Sequence, residues 1–145
     1  MQLNFDNFNF QIKTENNQNY IWDIVRKKHC VLTPEEYVRQ HCIHQLVKNG
    51  YAVSRISIEH SFPNSSKRYD IIYFDELGVP TLLIECKAPH VTLSQQVLEQ
   101  VSGYVELLNV PNILITNGIN HYSFSRKDKN ITITQEFPVN AKNSD

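Results

Sequence analysis

The stretch 67–89 (KRYDIIYFDELGVPTLLIECKAP) constrains the fold more than any other part of the 145-residue sequence. Two segments, 71–74 and 81–84, are rich in β-branched or bulky apolar residues, and turn-forming residues connect them. This pattern predicts a β-hairpin. Asp70 opens the first predicted strand and Glu85 closes the second, so both carboxylates are expected at one end of the hairpin.

These two acids need a chemical explanation, because charges at the end of a buried strand are unfavourable unless they are paired or bind a metal. Two converging carboxylates form an all-oxygen site that suits a hard divalent cation such as Mg²⁺. Alternate residues of a strand share a face, so Glu85 and Lys87 are expected to point the same way, and Cys86 oppositely. The alternative is a surface hairpin on which the acids and the lysine form a salt bridge.

Lys87 is better suited to electrostatic work than to proton abstraction. Two neighbouring carboxylates raise the pKa of a lysine, whereas a general base at neutral pH needs a lowered one. We therefore expect Lys87 to position a water molecule and to offset charge developing on a phosphate.

Composition favours a globular protein, with 41% hydrophobic and 20% charged residues. We expect a single domain over residues 1–145 and a cytoplasmic location, because no apolar run is long enough to span a bilayer and the N-terminus lacks a signal pattern. Three cysteines without close spacing are expected to be reduced thiols.

A formal net charge of −1 counts against tight DNA binding by the isolated chain, though not against weak or metal-assisted binding.

The N-terminal part is expected to add a β-hairpin at about residues 8–24, where apolar and polar residues alternate on both sides of a polar turn. The basic cluster at 26–28 (RKK) follows it, and such a cluster is more often a solvated surface than a phosphate clamp.

A helix is predicted from Pro34 to about residue 49, with Thr33 as its N-cap and Gly50 as its stop. Glu36 completes a Thr-x-x-Glu capping box. Two roles remain open for Glu36: capping, which the motif favours, or a third carboxylate near the hairpin.

His41 and His44 are three residues apart on this helix, a spacing that can meet one zinc ion. No second pair of ligands accompanies them, so a solvated or packed pair is the better interpretation.

A second helix is expected from Thr92 or Ser94 to about residue 108, with Gln100 and Tyr104 on one face. The remaining predictions are strands at 51–62, 111–116, 119–125 and 130–137, and a frayed tail at 138–145.

The order helix, three strands, helix, strand, with an acid on the second strand and Glu-x-Lys on the third, resembles the PD-(D/E)xK nuclease core. Gln100-x-x-x-Tyr104 is similar to a motif of the subgroup that includes RecB-type and type I restriction nuclease domains. Longer runs resemble the N-terminal domain of type I restriction enzyme R subunits (HsdR), in a small stand-alone form. They are RKK at 26–28, LTPEEYVRQ at 32–40, RYDI at 68–71, LIECKAP at 83–89 and ITNG at 115–118.

This resemblance covers about residues 8–137 and implies an α/β, restriction-endonuclease-like fold: a central mixed β-sheet flanked by helices, order αβββαβ, over about residues 33–137. It implies Mg²⁺, with Mn²⁺ as a substitute, bound by Asp70, Glu85 and the backbone carbonyl of Cys86. Lys87 would position the attacking water.

The resemblance also implies supporting residues. Glu36 would sit near the metal as a catalytic residue, and four others would support the site or touch DNA phosphate: Gln100, Tyr104, Arg68 and Lys67.

Two functions are consistent with the sequence. The first is a Mg²⁺-dependent DNA endonuclease-like domain, and the second is a non-catalytic DNA-binding or assembly module that retains the nuclease fold. RNA or branched DNA as the substrate is a weaker third possibility. No Gly-x-x-x-x-Gly-Lys-Ser/Thr loop occurs, so other restriction-system subunits would supply the motor and the specificity.

Overall fold

The computed structural model describes residues 2–61 and 66–141, without the side chains of 102 and 104–108. The described part contains two helices, nine strands and a short 3₁₀ turn at Val53–Arg55. The elements in chain order are β1 (Ile12–Glu15), β2 (Gln18–Asp23), β3 (Lys28–Val31), α1 (Pro34–Lys48), β4 (Ile56–Ser61), β5 (Arg68–Phe74), β6 (Pro80–Cys86), α2 (Gln95–Leu108), β7 (Asn112–Thr116), β8 (His121–Lys127) and β9 (Asn130–Thr134).

The larger sheet has six strands in the order β4-β5-β6-β7-β8-β9. Strands β6 and β7 run parallel, and the other neighbouring pairs run antiparallel. Parallel neighbours need a crossover, which α2 provides. Strand β7 is buried along most of its length, as its continuous apolar sequence predicts.

Two apolar clusters lie on opposite faces of this sheet. One contains Val38, Cys42 and Leu46 of α1 packed on alternate residues of β5 and β6. The other contains Val101 of α2, packed on the intervening residues of the same strands and on β7. The result is a mixed α/β architecture with a helix on each face of the sheet.

Helix α1 begins and ends where the sequence predicts. The side chain of Thr33 accepts a hydrogen bond from the backbone N–H of Glu36 at 3.0 Å, and Pro34 occupies the first turn. Asn49 is the C-cap, and Gly50 follows with φ of 97°, a conformation that glycine adopts without steric cost. Helix α2 takes its N-cap from Ser94 rather than Thr92.

The N-terminal segment differs in part from its prediction. Strands β1 and β2 pair as an antiparallel hairpin, to which β3 adds a third strand, and the first strand begins at Ile12 rather than near residue 8. Asn16 and Asn17, with φ of 51° and 62°, form the tight turn between β1 and β2. The sequence does not predict strand β3, because its residues, KHCV, open in the basic cluster and alternate too briefly to indicate a strand.

The prediction of a frayed tail after residue 137 is wrong for the residues that the structure describes there. The side chain of Asn49 donates to the backbone carbonyl of Pro138 at 2.9 Å. The backbone N–H of Asn140 donates to the carbonyl of Asn49 at 3.1 Å. These bonds attach the segment to the C-terminal end of α1. The rest of the predicted tail, residues 142–145, lies outside the described residues.

Gly118, in the turn after β7, is packed so closely against two side chains that a larger residue there should destabilise the fold. Gly118 has φ of 87°, and a Cβ built there would lie 3.1 Å from side-chain atoms of Leu3 and of Val38. Gly78 in the β5–β6 turn has φ of 78° but would bring its Cβ within 4 Å of nothing described. Both substitutions by alanine impose a left-handed backbone on an L-residue, so Gly118→Ala is expected to lower the free energy of unfolding by about 3 kcal/mol and Gly78→Ala by about 1 kcal/mol.

Urea unfolding followed by circular dichroism measures both values. Equal losses for the two variants would show that Leu3 and Val38 do not restrict position 118.

Candidate functional site

Strand pairing brings Asp70 and Glu85 together. Ile71 of β5 pairs with Ile84 of β6, so the next pair towards the strand ends is Asp70 and Glu85. Residues directly opposite one another in an antiparallel pair have their Cβ atoms about 5 Å apart. The apolar residues that precede Glu85 and follow Asp70 fix this register, because they are buried in the two clusters.

Asp70 is held on both of its oxygens. Its Oδ2 accepts the backbone N–H of Cys86 at 2.8 Å, and its Oδ1 accepts Nη2 of Arg39 at 2.7 Å. The side chain is only 12% exposed. Asp70 is therefore oriented by the end of β6 on one side and by helix α1 on the other.

The carboxylate of Glu85 has fewer hydrogen-bond partners than that of Asp70. Its Oε1 is buried and has no hydrogen-bond partner within the described residues. Burial, then repulsion from the Asp70 carboxylate, raises the pKa of Glu85 from its ordinary value of 4.5 to about 7, although Lys67 and Lys87 oppose the rise. A buried acid whose pKa is raised by a neighbouring carboxylate is typical of a functional site.

A chain of buried ion pairs links this site to the N-terminal sheet. Arg39 also donates to Oε1 of Glu36 at 3.1 Å, and Arg26 donates to the same oxygen at 2.8 Å. Arg26 in turn donates through Nε to Asp23, whose side chain is fully buried. The amide of Gln40 bridges Asp23 and Glu36, at 3.0 and 3.2 Å.

This network corrects the interpretation of the basic cluster and shows the contacts of Glu36. The sequence predicts a solvated surface at Arg26, but its side chain is only 18% exposed because it turns inward to Asp23 and Glu36. The carboxylate of Glu36 neutralises two arginines, while its backbone N–H provides the capping contact with Thr33. Arg39 lies between Glu36 and Asp70, so Glu36 reaches the predicted metal ligands only through that arginine.

Glu59 on the edge strand β4 is a site residue that no sequence motif identifies. The pairs Ile58–Ile71 and His60–Tyr69 place it beside Asp70. Its backbone has φ of 53°, a left-handed conformation that costs a non-glycine residue about 1–3 kcal/mol. Its Oε1 accepts from Arg39 at 3.1 Å and from Arg26 at 3.5 Å. Both the backbone angle of Glu59 and its contacts with the two arginines depend on the fold, so the sequence carries no signal that marks Glu59 as a site residue.

The predicted basic residues, Lys87, Lys67 and Arg68, make different contacts near the two acids. Lys87 is half-buried just after β6, where its backbone N–H donates to Thr116, and its charge lowers the pKa of Glu85. Lys67 packs over the ring of Tyr69, and the exposed Arg68 reaches Glu59 at 3.9 Å.

Helix α2 contributes less to the described site. Gln100 is exposed on this helix, and the prediction for the side chain of Tyr104 lies outside the described residues.

A cleft of about 540 Å³ lies between strand β3 and the start of α1, and it is lined by Arg39 and Glu59 but by neither Asp70 nor Glu85. Lys28 and His29 of β3 line one side, and Glu35 lies at the start of the helix. Burial, followed by the charge of Asp70, raises the pKa of Glu35.

The histidine pair on α1 is packed against aromatic rings. Phe10 lies 4.8 Å from the ring centroids of both His41 and His44, and burial lowers the pKa of both histidines. In residues 2–61 and 66–141, no group of three or more His, Cys, Asp or Glu side chains is arranged to hold a metal ion. Across the same residues, no helix is long and apolar enough to cross a membrane.

Comparison with known proteins assigns the family. No curated protein matches the chain. Among solved structures it is similar to a fragment described as an HsdR subunit of a type I restriction enzyme from Vibrio vulnificus YJ016, with 19% sequence identity and a TM-score of 0.57. The likeness covers 74% of this chain and 24% of that one, so this chain spans about a quarter of its relative's length. A family model matches residues 34–138, well over half of the sequence, and the chain therefore belongs to the family described as the N terminus of type I restriction enzyme R proteins (HSDR_N).

Proposed function

We propose that this chain is a Mg²⁺-dependent endodeoxyribonuclease domain with a PD-(D/E)xK site, acting on DNA together with other restriction-system subunits. One observation carries the proposal: Asp70 and Glu85 lie opposite each other on paired strands, and Glu85 keeps a buried oxygen that has no partner in the described residues. Membership of the R-protein family supports a nuclease-related role.

The donor set fits a hard divalent cation. Asp70 and Glu85 offer carboxylate oxygens, and the backbone carbonyl of Cys86 lies between Glu85 and Lys87 in the chain. Mg²⁺, or Mn²⁺ in its place, would supply Lewis-acid stabilisation of the charge on the phosphate. Burial, and after it repulsion from the Asp70 carboxylate, raises the pKa of Glu85, and a bound cation would offset both effects.

The basic residues near the acids would assist phosphodiester hydrolysis. Lys87 emerges from the end of β6 beside Glu85, where its ammonium group can orient a water molecule and offset charge on a phosphate. Lys67 acts on the charge of Glu85, Arg68 approaches Glu59, and Lys28 lines the cleft between β3 and α1; we assign to all three contacts with the DNA backbone.

A non-catalytic binding or assembly module is the second candidate. It is favoured by the ion pair of Arg39 with Asp70, which already neutralises one proposed metal ligand. In such a protein the acids and arginines would hold α1 against the sheet, and cation binding would be absent.

Cleavage of supercoiled plasmid DNA by the purified chain decides between the two. We expect nicking with MgCl₂ or MnCl₂ and none with EDTA. Lys87→Ala is expected to lower the rate about 100-fold, because it removes the charge that stabilises the phosphate while leaving both acids in place. Single-stranded, branched and RNA substrates in parallel assays identify the nucleic acid.

Lys48→Ala is the matched control, since this exposed lysine pairs with Asp6 at the far end of α1. Its cleavage rate is expected to equal that of the wild type. Nicking that survives in Asp70→Ala, Glu85→Ala and Lys87→Ala alike would end the nuclease proposal, because it would come from elsewhere.

A further inference from the structure

Arg39 is the residue whose position the proposed function leaves unexplained. Its guanidinium is buried on α1 and contacts three carboxylates: Asp70 at 2.7 Å, Glu36 at 3.1 Å and Glu59 at 3.1 Å. Two of these acids, Glu36 and Glu59, are also contacted by Arg26. Arg39 therefore forms an ion pair with Asp70, a proposed metal ligand, and at the same time donates to the carboxylates of Glu36 and Glu59.

We propose that Arg39 is a gate for the cation: it neutralises Asp70 in the cation-free chain, and releases Asp70 while remaining bound to Glu36 and Glu59 when a divalent cation enters. This inference rests on the function proposed above. It assigns Arg39 a positioning role that sets how tightly the site binds its cation.

The charges of the linked network support a cation of charge two. Its members, joined by contacts of 3.5 Å or less, are four carboxylates and two guanidinium groups: Asp23, Glu36, Glu59, Asp70, Arg26 and Arg39. These linked groups alone are thus two positive charges short of neutrality; Glu85 lies beside Asp70 and is offset by the charges of Lys67 and Lys87. Arg68 approaches Glu59 only at 3.9 Å, and its side chain is 72% exposed, so it offsets little of this excess.

A guanidinium and a divalent cation on the same carboxylate repel each other strongly. Like charges in a partly buried site interact much more than in water, so the Arg39–Asp70 contact opposes cation entry. Arg39 can give up this one contact without becoming an unpaired buried charge, because Glu36 and Glu59 still neutralise it. Glu59, whose backbone is left-handed, accepts from Arg39 at 3.1 Å and would hold the guanidinium after it leaves Asp70.

Calorimetric titration of the full chain with MnCl₂, without DNA, tests the gate. Arg39→Gln is expected to bind Mn²⁺ at least about tenfold more tightly than the wild type, since it removes the competing charge. Arg39→Lys, the matched control, keeps the charge and should stay within about threefold of the wild type. Equal or weaker binding by Arg39→Gln would overturn the proposal.

Glu59→Gln is the second variant, and it separates an effect through Arg39 from a general loss of negative charge. It is expected to weaken Mn²⁺ binding about threefold in the wild-type background and to have no effect in the Arg39→Gln background. The same weakening in both backgrounds would contradict a role for Glu59 in retaining Arg39.

A crystal structure of the wild type soaked in MnCl₂ remains decisive if Arg39→Gln fails to fold. We expect the contact between Nη2 of Arg39 and Oδ1 of Asp70 to be lost, with the contacts to Glu36 and Glu59 kept. If the Arg39–Asp70 contact stays intact beside a bound cation, the gate proposal is wrong. It is also wrong if neither the wild type nor folded Arg39→Gln binds Mn²⁺. DNA cleavage is not measured in these experiments, so a chain that binds Mn²⁺ through the gate but cleaves nothing would contradict only the nuclease proposal.

Discussion

Asp70→Asn is expected to lower metal-dependent DNA cleavage by roughly 10³-fold, at the limit of detection in a plasmid assay. The asparagine keeps one oxygen to accept the backbone N–H of Cys86, which donates at 2.8 Å in the wild type. What it loses is the negative charge that would hold the cation. Arg39 retains Glu36 and Glu59 as partners, so the variant should stay folded.

The matched control is Asp75→Asn, at the opposite end of the same hairpin. Asp75 accepts the backbone N–H groups of Leu77 and Val79 at 2.8 and 2.9 Å, and asparagine can accept the same bonds. Its cleavage rate is expected to stay within about twofold of the wild type, because the change is remote from the acids. Equal losses in the two variants, measured at equal melting temperatures, would remove Asp70 from the catalytic machinery.

Much of the local structure could be predicted from the sequence because it depends on neighbouring residues. The Thr33 cap, the first-turn Pro34 and the Gly50 stop fix the ends of α1 through contacts within a few positions. The turn residues and apolar runs on both sides of Asp75 likewise identify β5 and β6 as a hairpin. From that hairpin the approach of Asp70 to Glu85 could be inferred.

The surroundings of the two acids could not be predicted, because they depend on contacts between distant parts of the chain. Arg39 meets Asp70 from 31 positions away, and Arg26 meets Glu59 from 33 positions away. No short motif encodes either pair. A three-residue basic run reads as a solvated surface until the fold shows that its first member turns inward to buried carboxylates.

The surroundings of Glu85 favour cation binding but lower the stability of the cation-free fold. Glu85 lies in a position where its ionised form is unfavourable in the cation-free chain, since burial and the charge of Asp70 both oppose ionisation. Below pH 4.5 the carboxyl is protonated in both the folded and the unfolded chain, so it has no effect on stability. As the pH rises towards 7, the unfolded chain loses this proton while the folded chain retains it, and stability falls with pH. Above about pH 7 both states are ionised, and the loss is complete.

Glu85→Gln is therefore expected to stabilise the cation-free chain at pH 8 by about 3 kcal/mol, while leaving its stability at pH 4 unchanged. The glutamine is neutral at every pH, so the gain should appear between pH 4.5 and pH 7, where Glu85 changes its charge. Urea unfolding in EDTA at several pH values measures the difference, with Glu15→Gln on the exposed strand β1 as the control that should show no such trend. A constant difference across this range would mean that Glu85 titrates as an ordinary surface acid. Excess MnCl₂ is expected to reverse the order of stability at pH 8, because the cation stabilises the folded wild type and the variant has lost a ligand for it.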